Sequence, residues 1–265
     1  MINVNLKDTL FVRTEFKGGQ LKKDNFNLSM YQTVNDDDKS TFGFKRSSIV
    51  YNDNLWFINR NSDKNNKVDI ERGFQNFNID SILISSGDQS ILMDGVLRDS
   101  TYKDLKLNLN KINLADIIPR QDSIDFKGVL DGNLDIYQKN KLYAPNLDVV
   151  VEDFEFNSVR YGKFILEADG NKDLSSFDII SELKRDENLL FSADGSVFTA
   201  KNNQYFDIDV DFNEFDISAF RDFGGDVISK IRGMASGEVD ISGKISNPSF
   251  NGELRLDDAG LKVPY

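Results

Sequence analysis

The stretch Gly233 to Leu256, GMASGEVDISGKISNPSFNGELRL, constrains this chain more than any other. Val239 and Ile241 alternate with Glu238 and Asp240, and after Asn247-Pro248 the run Phe250, Gly252, Leu254, Leu256 resumes the alternation. Period-two patterning describes strands with one apolar and one solvated face. The reading is two short strands, the first ending at Gly243, with Asn247-Pro248 as the turn, because proline fixes φ and drives the preceding residue out of the helical region.

The same pattern is spelled earlier, in GVLDGNLDIYQKNKLYAPNLDVVVEDFEF. Gly128, Gly132, Leu134, Ile136, Pro145, Leu147, Val149 and Val151 align with Gly233, Gly237, Val239, Ile241, Pro248, Phe250, Gly252 and Leu254. The glycines are 105 residues apart and the prolines 103, which predicts a two-residue insertion in the first turn. Upstream, KINLADII (Lys111 to Ile118) precedes EFDISAFR (Glu214 to Arg221) by 103. An internal repeat of this length predicts an extended, sequentially stacked architecture. The predicted organisation is 1–110 as an N-terminal part, 111–213 as a first repeat and 214–265 as the start of a second. All three belong to one continuous structural unit.

Short alternating runs fill the rest, among them Phe164-Ala168, Phe177-Leu183, Leu189-Val197 and Phe206-Phe212. Only Leu114 to Ile118, closed by Pro119, and Ile217 to Ile231 carry helical spacing. Turn signals recur about every dozen residues, and the prediction is an all-β protein of many short strands. Asn59 to Lys67 reads as a solvated loop with nothing to offer a core.

The residue inventory excludes much chemistry. There is no cysteine and no histidine. That removes disulfides, thiolate metal sites and the commonest general base. A net charge of −12 argues against a nucleic-acid partner and against electrostatic docking on anionic headgroups. No stretch approaches the roughly 20 apolar residues of a spanning helix.

Local motifs favour plain readings. Asp207, Asp209 and Asp211 read as a solvated strand face and Asp36-Asp37-Asp38 as a turn, ahead of calcium ligands. No metal and no cofactor is expected. Gly128-x-x-x-Gly132 and Gly233-x-x-x-Gly237 lie in no long apolar segment, so they are strand or turn glycines, not helix-dimer motifs. Glu152/Asp153 is one acidic pair among many, with nothing to single it out as a glycosidase acid. Trp56 reads as a core anchor before a stacking platform.

The two glycine-strand-proline blocks resemble the repeat of the TamB family, within the AsmA-like group of bridge-forming envelope proteins. DTLFVRTEFKGGQLKKDNFNLSMYQTVN and GFKRSSIVYNDNLWFIN also resemble Bacteroidota-type chains of that family. The resemblance implies an elongated, curved antiparallel or mixed β-sheet forming an apolar-lined groove (a β-taco) with one or two short helices. It also implies a periplasmic location, with an inner-membrane anchor and contacts to an outer-membrane barrel of the TamA/BamA type in parts of the protein beyond this sequence. Neither end carries the polar capping unit of a finished stack, and the chain is expected to be a segment of a longer protein.

The apolar faces admit two readings: the closed core of a sandwich, or an open wall holding acyl chains. Repeat and resemblance together favour the wall, a non-enzymatic phospholipid conduit between the two membranes that also supports outer-membrane protein assembly. Its expected lining is Leu134, Ile136, Val149, Phe164, Phe177, Phe206, Ile208, Val239, Ile241 and Leu254. The alternatives are a scaffold that holds outer-membrane protein strands by edge pairing and, remotely, a polysaccharide enzyme.

Overall fold

A computed structural model describes residues 2–5, 9–19, 23–34, 39–71, 73, 75–119, 124–200, 203–221, 223 and 229–263. The chain is all-β, with antiparallel ladders throughout and one α-turn (Leu114–Ile117) and one 3-10 turn (Ile217–Phe220) among the described residues. It divides into two compact units, residues 1–112 with 131–145, and residues 113–130 with 146–265.

In the first unit, β1 (Ile2–Asn5), β2 (Thr9–Gly18) and β3 (Asp24–Val34) pair in sequence. The far edge of β3 is shared by two short strands, β4 (Ser40–Phe44) and β5 (Ser47–Tyr51). These continue to β7 (Lys67–Ile70) and β6 (Asn54–Ile58), and both strips rejoin on β8 (Asn76–Ser86). The strands β9 (Gln89–Arg98) and β10 (Tyr102–Asn113) follow as a meander.

Two asparagines bridge the split, both 2% exposed. Asn59 donates from Nδ2 to the carbonyls of Phe44 and Asp63, and Asn66 accepts the Leu83 N–H on Oδ1. A split ladder leaves backbone groups without strand partners, and these side chains supply them. The segment expected to be a solvated loop is therefore pinned at Asn59 and Asn66. Trp56, 4% exposed, is a core residue.

The second unit is a meander of β12 (Leu142–Phe156), β13 (Val159–Gly170), β14 (Ser176–Arg185), β15 (Asn188–Ala200), β16 (Asn203–Asp216), β17 (Ser229–Lys244) and β18 (Asn247–Lys262), each paired with the next. β11 (Phe126–Lys139) precedes them, and both it and β12 contribute residues to each unit.

The hairpin turns are not where the prolines are. β11 turns into β12 at Asn140-Lys141, both with φ in the left-handed region (52° and 66°), and β17 turns into β18 at Ile245-Ser246. Pro145 and Pro248 lie inside the following strands. The Asn140-Lys141 turn has positive φ at both central positions, which proline cannot adopt. The turns are thus 105 apart, like the glycines, and the two prolines are not counterparts.

The constant 105 offset extends to a matched device. Asp153 and Asp258 are β-bulges with φ 51° and 50°, and Gly128 and Gly233 lie against them with φ 135° and 127°. A Cβ on Gly128 would stand 2.9 Å from the Glu152 carbonyl oxygen, and one on Gly233 3.0 Å from that of Asp257. Only glycine combines that backbone with that approach. Upstream the match is at 103. Lys111 and Glu214 are bulges at φ 51° and 48°, followed by buried Ile112 and Phe215. Asn113 and Asp216 then cap the short turns by accepting from the N–H groups of Ala115 and Ser218. Each bulge N–H is itself received by a side chain one strand over, Asp131 Oδ1 and Ser236 Oγ.

The helical spacing read over Ile217 to Ile231 yields only the 3-10 turn at Ile217–Phe220, and Ile231 belongs to β17. Residues 222 and 224–228, including Gly224-Gly225, fall outside the described residues, as do Leu6, Asp36-Asp37-Asp38 and Phe74.

Candidate apolar face

In antiparallel pairing, directly opposed residues share a face. The registers of the second unit can therefore be followed from strand to strand. One row runs Val149, Leu166, Ser181, Ala193, Val210, Val239, Gly252. A second runs Val151, Phe164, Leu183, Phe191, Phe212, Gly237, Leu254. A third runs Leu147, Ala168, Ile179, Gly195, Ile208, Ile241, Phe250, and a fourth Gly170, Phe177, Val197, Phe206, Gly243, Pro248. All eight candidate residues of this unit, Val149, Phe164, Phe177, Phe206, Ile208, Val239, Ile241 and Leu254, fall on this one face.

Leu134 and Ile136 belong to the first unit. In β11 they share their side with Gln138, whose Oε1 accepts from Lys103 Nζ. Lys103 is two residues from Leu105, so Leu134 and Ile136 stand on the Leu105 side of that unit's ladder.

The face is not uniformly covered. At one end of the second unit Tyr161, Phe215, Leu183, Leu190, Val159 and Ala219 form a closed cluster, with Phe154, Phe156, Phe164, Phe191 and Phe212 against it. Tyr161 is 1% exposed, stacks on Phe215 at 4.8 Å and donates its hydroxyl to the Asp216 carbonyl at 2.5 Å. Burial first, then the Asp216 carboxylate, push its phenol above the ordinary range. Asn157 ties the β12–β13 turn to the 3-10 turn through Nδ2 to the Ala219 carbonyl.

Away from that end the side chains are half-buried: Leu147, Val149, Leu166, Ile179, Val197, Phe206, Ile208, Val239 and Ile241. On β18, Phe250 is 65% exposed and Leu254 45%. A sandwich core would bring such residues close to zero exposure. Here they line a face of one layer, open along most of its length.

The opposite face is acidic. Its rows include Asp148, Glu167, Asp194, Asp209 and Asp240, then Glu182, Asp211, Glu238 and Glu253, then Asp169, Asp178 and Asp207. Like charges directly opposed across strands repel. Desolvation and the facing Asp240, with Asp207 and Asp194 beyond, hold the Asp209 carboxyl above the usual range. Asp207, Asp209 and Asp211 thus stand on a solvated strand face, and among the described residues no acidic group is arranged to hold a metal. Glu152 pairs with Lys163 at 2.9 Å, and Asp153 is the bulge residue.

Several face members were absent from the expected lining: Leu166, Ile179, Ala168, Val197 and Val210. Their signal is the same alternation, obscured in KFILEAD and FDIISEL by the off-phase Ile165 and Ile180. No protein-family model, no curated protein and no solved structure matches this chain.

Proposed function

We propose that the chain is a non-enzymatic segment of a periplasmic bridge of the TamB type, whose apolar face holds phospholipid acyl chains on their way between membranes. The observation that carries this reading is the continuous apolar face over seven strands, half-exposed, with the carboxylates segregated to the other side. Each CH₂ moved from water onto such a face gains about 0.8 kcal/mol, so acyl chains need no specific contact to bind. The acidic face repels anionic headgroups, which confines lipid to the apolar side. The outer-membrane barrel partner and the membrane anchor belong to other parts of the protein in this reading.

A second reading draws on β18, a 16-residue strand exposed along nearly its whole length. Such an edge would let it hold extended outer-membrane protein strands by backbone pairing. Native mass spectrometry of the purified protein separates the two. Lipid conduction predicts phospholipid masses that survive gentle ionisation. Adducts to barrel precursors with no bound lipid would replace it with the scaffold.

A further inference from the structure

The net charge of −12 is unevenly held. The second unit's residues carry −13, since the first unit has 18 Lys and Arg against 17 Asp and Glu, a net +1. Within that first unit three cations lie over three aromatic rings, and a fourth, Arg13, lines the same cavity as Lys45 and Arg46. Lys45 Nζ lies 5.7 Å from the Phe11 ring centre and 5.3 Å from that of Tyr31. The guanidinium carbons of Arg46 and Arg60 stand 5.2 and 5.3 Å from the Phe57 ring centre. Arg13 donates from Nε to Ser29 Oγ at 3.3 Å. Among the described residues Lys45, Arg46 and Arg60 form no ion pair.

Arg13, Lys45 and Arg46 rim a cavity of about 380 Å³ that also takes in Phe11, Ser29 and Met30. That volume lies within the range of small-molecule sites. Its shape is fixed from beneath. Ser47, 2% exposed, accepts the Ser29 N–H and donates to the Lys45 carbonyl, both at 2.9 Å. The Lys45 N–H bonds the Ser29 carbonyl and the Phe44 N–H the Asn66 carbonyl, each at 2.8 Å. Asn59 then donates from Nδ2 to the Phe44 carbonyl at 2.7 Å. Two buried polar side chains, Ser47 and Asn59, thus hold the short β4–β5 link that presents two adjacent cations.

We infer that this cavity is a binding site for a phosphate ester carrying an apolar substituent. Clustered guanidinium and ammonium donors match phosphate oxygens, and Ser29 adds a hydroxyl. Phe11, on the same face as Arg13 and Ser29, gives the substituent an apolar wall. The site stands on its own geometry, apart from the conduit reading. Its phosphate comes either from a soluble ester or from a lipid headgroup.

The test measures binding of sn-glycerol 3-phosphate by calorimetry and of phosphatidylglycerol against phosphatidylcholine vesicles by co-sedimentation. The proteins are the unaltered chain, the double variant Lys45→Glu/Arg46→Glu, and Lys106→Glu, an exposed cation of the same unit outside the cavity. The double variant is expected to weaken binding at least about tenfold, since each charge-assisted phosphate contact is worth of that order. Lys106→Glu should leave it within about twofold, as a single screened charge outside the site. Binding of glycerol phosphate assigns the soluble source. Binding of phosphatidylglycerol vesicles alone assigns the headgroup. The inference is overturned if neither probe binds, or if the two variants weaken binding equally.

Discussion

Ile208→Asp is expected to strip the protein of co-purifying phospholipid while leaving its strand content intact. Ile208 sits mid-strand in β16, opposed by Gly195 on one side and Ile241 on the other, in the half-buried third row of the apolar face. A carboxylate there places a charge against acyl carbon, where an unpaired polar group costs several kcal/mol. About 1.4 kcal/mol already lowers occupancy tenfold, so a loss of at least tenfold in bound lipid is expected. The fold tolerates the change because Ile208 keeps partial access to water, which the new charge uses once lipid is gone. Ile241→Asp should act alike, since its side chain is the direct cross-strand neighbour. Ile208→Leu, which keeps the apolar volume, should retain lipid. Lipid occupancy from native mass spectrometry, alongside far-ultraviolet circular dichroism, reads both properties. Undiminished lipid in both aspartate variants would remove the face from the account.

The largest loss of stability is expected at Tyr161. Tyr161→Ala removes a ring that is 1% exposed and stacked on Phe215, and large-to-small changes at such sites cost about 3–5 kcal/mol. Tyr161→Phe keeps the ring and deletes only the hydroxyl bond to the Asp216 carbonyl. That leaves an acceptor without its donor, at about 1–3 kcal/mol. The hydroxyl also shows in the pH dependence. The folded phenol titrates above its ordinary value of 10.0, so the native state holds its proton where the unfolded chain has lost it. The resulting contribution is whole below pH 10 and is lost as pH rises above it toward the folded value. Urea titrations across pH 8 to 11 should show stability falling at the alkaline end in the unaltered protein. In Tyr161→Phe that part of the fall should be missing.

The second unit's apolar face was legible in the sequence for a geometric reason. Aligning Pro145 with Pro248 misplaces the first repeat's strand by two residues, yet a two-residue shift returns every side chain to the same face. Val149 and Leu254 therefore land on the apolar face under either alignment. What the sequence hid were the odd insertions. Phe212 and Phe215 point into one cluster although they are three positions apart, because the bulge at Glu214 restores the parity. No simple alternation announces that. The turns were hidden too, because Asn140-Lys141 and Ile245-Ser246 carry no glycine and the nearby prolines attract attention instead. Asn59 and Asn66 were hidden for a third reason. Inside a run of polar residues, nothing local marks the two whose partners are backbone groups left over by a split ladder. Net charge misled by averaging, since it concealed a basic cavity in one unit behind the acidic face of the other.

The central claim is that one face of β16 meets lipid and the other does not, and alternation along a single strand tests it most directly. A photo-crosslinking side chain placed in turn at Phe206, Asp207, Ile208, Asp209, Val210 and Asp211 samples both faces at the same depth along the strand. The account predicts phospholipid adducts at positions 206, 208 and 210 and none at 207, 209 and 211. Adducts that ignore this alternation, or lipid adducts at none of the six, would contradict it.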